Sequence, residues 1–332
     1  MSIEITAPSA RRRVFNGDLV QRYGLVFVFV AVLMIFSMLR PTSYLSLGNI
    51  QNLLTAQSVT MLLAFAVMIP LATNEFDLSV GYLAGLSHVL AIGLQQMFGL
   101  SWLIAIPIII LLGGVVGFIN GTLISRFGIS SFIATLGTGI VIYGVTNWFT
   151  GGQQIVGSTL PESFIAISSS LGNVPIPAMI VAVVAVVLYF FLEHTVPGRS
   201  YFVLGASRRA AELTGIPVKR AVTSAFIISG VLAVIAGIIL GANLRTGTAS
   251  VGPEYLLPAF AGAMLGATAI KPGRVNVLGT IVAALTLAFL FSGVQQLGAP
   301  FYIEYFFNGG ILIVAVGLSV FAAKRHRDRA RR

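Results

Sequence analysis

The sequence predicts an all-α fold: a polytopic transmembrane helical bundle of about ten spans, with both termini cytoplasmic. Three observations predict it. Ten stretches of the 332 residues are apolar enough to cross a bilayer. Hydrophobic residues make up 57% of the chain and charged residues 9%, against about 25% charged in an ordinary soluble domain. When the stretches are threaded alternately, 18 of the 20 Lys and Arg residues fall on one side.

A crossing helix needs roughly 20 mostly apolar residues to cover a hydrocarbon core of about 30 Å. Residues 22–39, 53–73, 77–97, 101–124, 130–150, 175–194, 221–242, 256–270, 276–296 and 303–323 are the expected spans. The first follows Arg11, Arg12 and Arg13 and ends in Met38, Leu39, Arg40 and Pro41 without a small-residue cleavage site, so it reads as an uncleaved signal anchor. A polar break beginning at Asn74 divides the second span from the third, and Arg126 divides the fourth from the fifth. The stretch from Thr150 to Pro177 carries one charge, Glu162, and many Ser, Gly and Pro residues, as expected of an external loop holding a short interfacial helix. Such a loop meets a soluble partner, covers an entrance, or merely connects. The seventh span follows the longest cytoplasmic segment, Val196 to Arg220, in which Pro197, Gly198 and Arg199 are read as ending a span. The eighth is short enough to be tilted, broken or re-entrant.

This threading gives a cytoplasmic N-terminal segment (1–21), a transmembrane domain (22–323) and a basic cytoplasmic tail (324–332). Only Arg40 and Arg245 face outward. The net charge of +10 therefore belongs to topology and lipid headgroups, not to nucleic acid. With no cysteine there is no disulfide or thiolate site. His88, His194 and His326 are too scattered for a metal cluster and read as packing or interfacial residues, so no metal site is expected. No G-x-x-x-x-G-K-[ST] is present, so a nucleotide that drives the protein must sit on another chain.

Glycines recur at i, i+4: Gly81 and Gly85; Gly113, Gly117 and Gly121; Gly237 and Gly241; Gly262 and Gly266. Lipid gives helices no hydrophobic reason to associate, and small residues let backbones approach closely, so these positions mark packing faces.

The break runs Asn74, Glu75, Phe76, Asp77, Leu78, Ser79, Val80 and Gly81. A carboxylate at mid-bilayer costs about 2.5 to 3.5 kcal/mol on insertion scales, so Glu75 and Asp77 are expected at an interface, paired, or facing water. Threading sets them near the cytoplasmic face. Two roles stay open: Asp77 and Ser79 cap the third helix, or they belong to a translocation path. In the cytoplasmic segment, Gly205 to Pro217 predicts about two helical turns, with Ser207 as N-cap and Gly215 as stop. Arg208 and Glu212 fall on one side and Ala210 and Ala211 on the other.

That segment, with Gly205, Ser207, Ala210, Ala211, Thr214, Gly215 and Ile216, resembles the G-x-N-x-x-A-A-x-x-S-G-I coupling sequence of permease subunits from ATP-binding-cassette importers of the ribose and xylose group. Three further blocks resemble the same family in the same order. Asp77 to Gly81 is similar to its D-L-S-V-G. Phe132 to Gly137 with Thr150, Gly151 and Gly152 is similar to its F-I-x-T-L-G and T-G-G, and Gly273 to Thr280 to its G-R-x-x-V-L-G-T. The chain departs from the pattern at Asn74 and Glu75, where the family has Gly-Gly, at Ser207 for Asn, at Thr214 for Ser, and at Pro272 and Val275 for glycines.

The resemblance implies a permease subunit in the bacterial inner membrane that performs no covalent chemistry and binds no cofactor. A cytoplasmic ATP-binding subunit carries ATP and Mg, a periplasmic binding protein delivers a sugar, and a second permease subunit, identical or paralogous, completes the pair. Residues 199–220 would couple to the ATPase. A sugar path is expected to be lined by neutral polar and aromatic groups, and Asn120, Asn147, Trp148, Gln295, Gln296 and Asn308 are the candidates on the spans. Each could equally be a satisfied interhelical polar residue. An alternative is an ion-coupled secondary transporter in which Glu75 and Asp77 carry the ion; a membrane scaffold that moves no solute is a third class.

Overall fold

Apolar runs of helical length close their backbone hydrogen bonds internally, as a lipid environment requires. The computed structural model describes residues 11–300, 302–310 and 313. In chain order the helices are α1 (Arg11–Leu39), α2 (Leu47–Ala72), α3 (Val80–Gln96), α4 (Trp102–Ser125), α5 (Ser131–Thr150), α6 (Glu162–Ile165) and α7 (Ile176–His194). There follow α8 (Val196–Ala206), α9 (Arg208–Leu213), α10 (Val218–Leu244), α11 (Val251–Glu254), α12 (Leu256–Gly266), α13 (Val277–Gln296) and α14 (303–310). Four two-residue strands lie in the loops. β1 (Ile155–Val156) pairs antiparallel with β4 (Thr246–Gly247), and β2 (Ser170–Leu171) with β3 (Val174–Pro175).

Seven helices are long and apolar enough to cross a membrane among the described residues: α1 from Arg22, α2, α4, α5, α7, α10 and α13. The third and eighth expected spans are shorter helices, α3 with 17 residues and α12 with 11. The last expected span begins in α14, and residues 314–323, like the tail with His326, lie outside the described residues.

Helix α10 sits at the centre, packed against α4, α3 and α2. Glycine makes this possible. A Cβ added to Gly117 would lie 2.2 Å from the Phe226 carbonyl oxygen, one on Gly113 2.7 Å from the Gly230 oxygen, and one on Gly121 2.6 Å from the Thr223 Cα. On the other side of α10, a Cβ on Gly237 would lie 2.2 Å from the Ala84 oxygen. Gly85 meets Gly252 of α11, and Gly266 meets Thr280 of α13, so the spacing in the sequence did mark contact faces.

The bundle has two chemically distinct ends. At one, the Arg22 carbonyl accepts from the Ile270 N–H, and Glu193 at the foot of α7 pairs with Lys271 and Arg274 at 2.7 Å each. At the other, the Thr150–Pro177 segment is tied down: Gln51 donates to the Asn173 carbonyl (3.1 Å), Gln96 to Ser158 (3.0 Å) and the Trp102 indole to Ser163 (3.0 Å). His88 is fully buried on α3 and its Nε2 bonds the Thr246 carbonyl, which makes it a packing residue.

Three local readings need correction. The third helix starts at Val80 and not at residue 77, because Glu75 to Leu78 form no helical turn. Pro197, Gly198 and Arg199 open α8 instead of ending a span: Thr195 is its N-cap, accepting from the Gly198 N–H, and proline suits the first helical turn, where its missing N–H leaves no bond unmade. The two turns expected from Gly205 to Pro217 shrink to the six residues of α9, because Gly205 still belongs to α8 and Gly215 ends the helix at φ +77°.

Candidate functional site

The break between α2 and α3 is held by side chains from three other helices. Asn74 turns the chain at φ +62°, and beyond Glu75, whose N–H still reaches the Pro70 carbonyl, the non-helical backbone needs partners from elsewhere. Helix α5 supplies them, with the Ser131 hydroxyl accepting from the Phe76 N–H (3.1 Å) and the Thr135 hydroxyl from the Leu78 N–H (3.0 Å). Non-helical backbone inside a membrane bundle survives only with such partners.

Asp77 is 1% exposed. Its Oδ1 accepts from the Ser79 N–H (3.0 Å) and hydroxyl (2.6 Å), and its Oδ2 from the Ser229 hydroxyl of α10 (2.8 Å). The Asn120 amide of α4 in turn donates to Ser79 Oγ (2.9 Å). Ser229 is about 16 Å along α10 from its first residue at 1.5 Å per residue, so Asp77 lies inside the bundle and not at its rim. Of the two roles read for this pair, capping of the first turn of α3 is not what the side chains do. Asp77 bonds the Ser79 N–H, whereas the Ser79 side chain makes no cap bond and is spent on the carboxylate. Gly81 follows, close against Leu256 and Gly252.

The segment from Val196 to Arg220 docks onto the same break. A Cβ on Gly205 would lie 2.3 Å from the Ala72 oxygen, so glycine lets the end of α8 rest on the end of α2. Ser207 caps α9 by accepting from the Ala210 N–H (3.3 Å), and the Thr214 hydroxyl closes it on the Ala210 carbonyl (3.0 Å). Only Ala211 is buried in α9; Arg208, Ala210, Glu212 and Leu213 are exposed, Leu213 by 80%. Arg208 stands 3.8 Å from both Glu212 and Glu75.

At the opposite end, where α2 begins and α13 ends, a cavity of about 450 Å³ opens. That is within the range of about 300–1,000 Å³ usual for small-molecule sites. Helix α2 lines it with Asn49, Gln57 and Thr60, and α13 with Phe291, Ser292 and Gln295. Glu254, Tyr255 and Pro258 close a third side, and Glu304, Tyr305 and Asn308 of α14 the fourth. A smaller pocket below it shares Gln57, Glu304 and Asn308 and reaches Leu287.

The six polar candidates on the spans therefore separate. Gln295 and Asn308 meet at the cavity. Gln296 lies beside it, bonded to Ser43 and Ser292. Asn120 belongs to the Asp77 cluster. Asn147 bonds its own helix at the Tyr143 carbonyl (2.8 Å), and Trp148 is 81% exposed on the outer face of the bundle. Glu254 and Glu304, two carboxylates at the cavity, are not among the candidates, since a sugar path predicts neutral groups. Their one signal in the sequence is a charge beside an apolar run.

A multi-pass helical membrane protein with an internal polar cavity and a capped helix exposed at its far end has the architecture of a permease. The chain belongs to the family described as the branched-chain amino acid transport system permease component, which it matches over residues 49–316. It is 32% identical to the ribose import permease protein RbsC of Bacillus subtilis (strain 168), over 92% of this chain and 95% of that one. It is 30% identical to RbsC of Escherichia coli (strain K12), over 93% and 96%. It is 28% identical to the D-allose transport system permease protein AlsC of the same strain, over 96% and 98%. No solved structure matches it.

Proposed function

We propose that this chain is the membrane-spanning permease subunit of an ATP-binding-cassette importer and forms the pathway for a monosaccharide or related polyol. The observation that carries the reading is its likeness, over more than nine-tenths of both chains, to proteins named as ribose and D-allose permeases. It resides in the bacterial inner membrane with about ten spans and both ends in the cytoplasm. A separate subunit binds ATP and Mg, a periplasmic protein delivers the sugar, and a second permease subunit completes the pathway. In this reading α9, with Arg208, Ala210, Glu212 and Leu213 turned outward, is the surface that the ATPase grips. ATP shifts the bundle only through differential binding to its two arrangements. Packed helices switch between discrete states, so a displacement at α9 passes into the break between α2 and α3.

Reconstitution tests this. Liposomes with the chain alone should accumulate no solute, and addition of the ATPase, the binding protein and ATP should start uptake. Gradient-driven uptake by the chain alone, abolished by Asp77→Asn, would instead establish the ion-coupled alternative.

A further inference from the structure

We infer that the cavity between α2, α12, α13 and α14 binds an uncharged polyhydroxylated solute, whose hydroxyls donate to Glu254 and Glu304, and that these two carboxylates turn away anionic relatives. The inference rests on the permease reading above and adds where the solute sits and what charge it cannot carry.

The cavity is rich in acceptors. Glu254 lines it from α11 and Glu304 from α14. No Lys, Arg or His lines it, and neither glutamate has an ion pair among the described residues. A third acceptor points to a ligand independently of the carboxylates. Asn308 is 3% exposed, lines both the cavity and the pocket below it, and its Oδ1 is buried with no hydrogen-bond partner. Buried acceptors are ordinarily satisfied, so this constellation calls for a donor-rich occupant.

A sugar or polyol brings one donor with each hydroxyl and an apolar ring face for Phe291 or Tyr255. A sugar acid or sugar phosphate brings acceptors and negative charge to a wall that already has both. Repulsion between like charges is strongest where water is excluded. The glutamates are thus specificity-determining residues, acting by an unfavourable contact with the wrong solute as well as a favourable one with the right solute.

Saturation-transfer NMR on the purified full-length chain tests this, with ribose, allose, ribonate, ribose 5-phosphate and glucosamine as probes. The neutral sugars should saturate about tenfold more than the two anions, a gap of the size that close charge repulsion produces. In the Glu254→Gln, Glu304→Gln double variant the anions should rise to within about threefold of the neutral sugars, since the amide keeps the shape and removes the charge. Asn308→Ala should lower neutral-sugar saturation by about threefold or more, through loss of one buried acceptor. The proposal is overturned if no neutral sugar saturates, if glucosamine saturates more strongly than ribose and allose, or if selectivity against the anions survives the double variant. Uptake by the complete reconstituted importer separates the two readings. Sugar uptake whose selectivity ignores both glutamates removes this site and leaves the permease standing, and an importer that moves no solute removes both.

Discussion

Arg208 Nη1 lies 3.8 Å from Glu75 Oε1, so the exposed helix α9 is tied by charge to the break between α2 and α3. Glu75 is itself part of that break, so the contact joins the two directly. Half of the Arg208 side chain is exposed, so the pair contributes about 0.2 to 1 kcal/mol and acts on geometry more than on stability. Arg208→Glu sets a third carboxylate beside Glu75 and Glu212. ATP hydrolysis by the reconstituted complex should persist while uptake falls, and the swap Glu75→Arg with Arg208→Glu should recover part of it. A swap no better than the single reversal would deny the contact any part in coupling.

The glycine face of α4 gives a prediction with an internal control. At Gly117 a Cβ would meet the Phe226 oxygen at 2.2 Å, whereas at Gly114 the nearest atom is a Val231 methyl at 3.9 Å. Gly117→Ala must push α4 off α10 and should cost about 1 to 3 kcal/mol as overpacking. Gly114→Ala gains helix propensity and should be neutral or stabilising by up to about 1 kcal/mol. Thermal unfolding in detergent distinguishes them, and equal midpoints for the two variants would contradict the α4–α10 contact.

What the sequence disclosed was set by the range of each interaction. Nine of the ten apolar runs form helices and the described part of the tenth begins as one, because apolar composition over a long run is a local property. The contact faces could be read from Gly113, Gly117 and Gly121, since i, i+4 spacing is local too. The depth of Asp77 could not, because the Ser229 hydroxyl that holds it lies 152 positions away. The cavity was invisible for the same reason: Gln57, Glu254, Gln295 and Glu304 come together only when four helices pack. Which side of α5 meets the bundle could not be read either, and Trp148 faces away from it.

The Asp77 cluster makes the buried oxygen of Ser229 a sensitive position. Ser229→Ala leaves Asp77 Oδ2 without its donor in a residue that is 1% exposed. A hydrogen bond to a carboxylate is worth about 1.5 to 3 kcal/mol, and the variant should lose that much stability. Ser229→Thr keeps the hydroxyl and should lose less, provided its methyl is accommodated. Chemical unfolding of the purified variants measures both. A loss no larger for alanine than for threonine would mean that the Ser229 contact does not hold the break in place.

Glu193 joins the foot of α7 to the segment between α12 and α13 through two 2.7 Å pairs, one with Lys271 and one with Arg274. The two cations are not equivalent. Lys271 offers a point charge that is 39% exposed on the side chain, while the Arg274 guanidinium also lies 3.7 Å from the centre of the Phe202 ring on α8. Arg274 therefore connects α7, α8 and the α12–α13 segment at once, with a planar group that stacks and pairs together. Lysine in its place keeps the charge but loses the flat fork and most of the stacking. Arg274→Lys should thus lower stability by about 0.5 to 1 kcal/mol, the usual worth of a cation–π contact at a partly exposed site. Lys271→Met should cost less, since Arg274 still pairs with Glu193. Added salt sharpens the comparison. The Lys271 and Arg274 side chains are equally exposed, 39% and 38%, so screening weakens both ion pairs alike. Only Lys271→Met removes a charge, and its cost should fall with ionic strength while the stacking lost in Arg274→Lys does not, so the gap between the two variants should widen. A gap that closes in salt would show that Arg274 acts through charge alone.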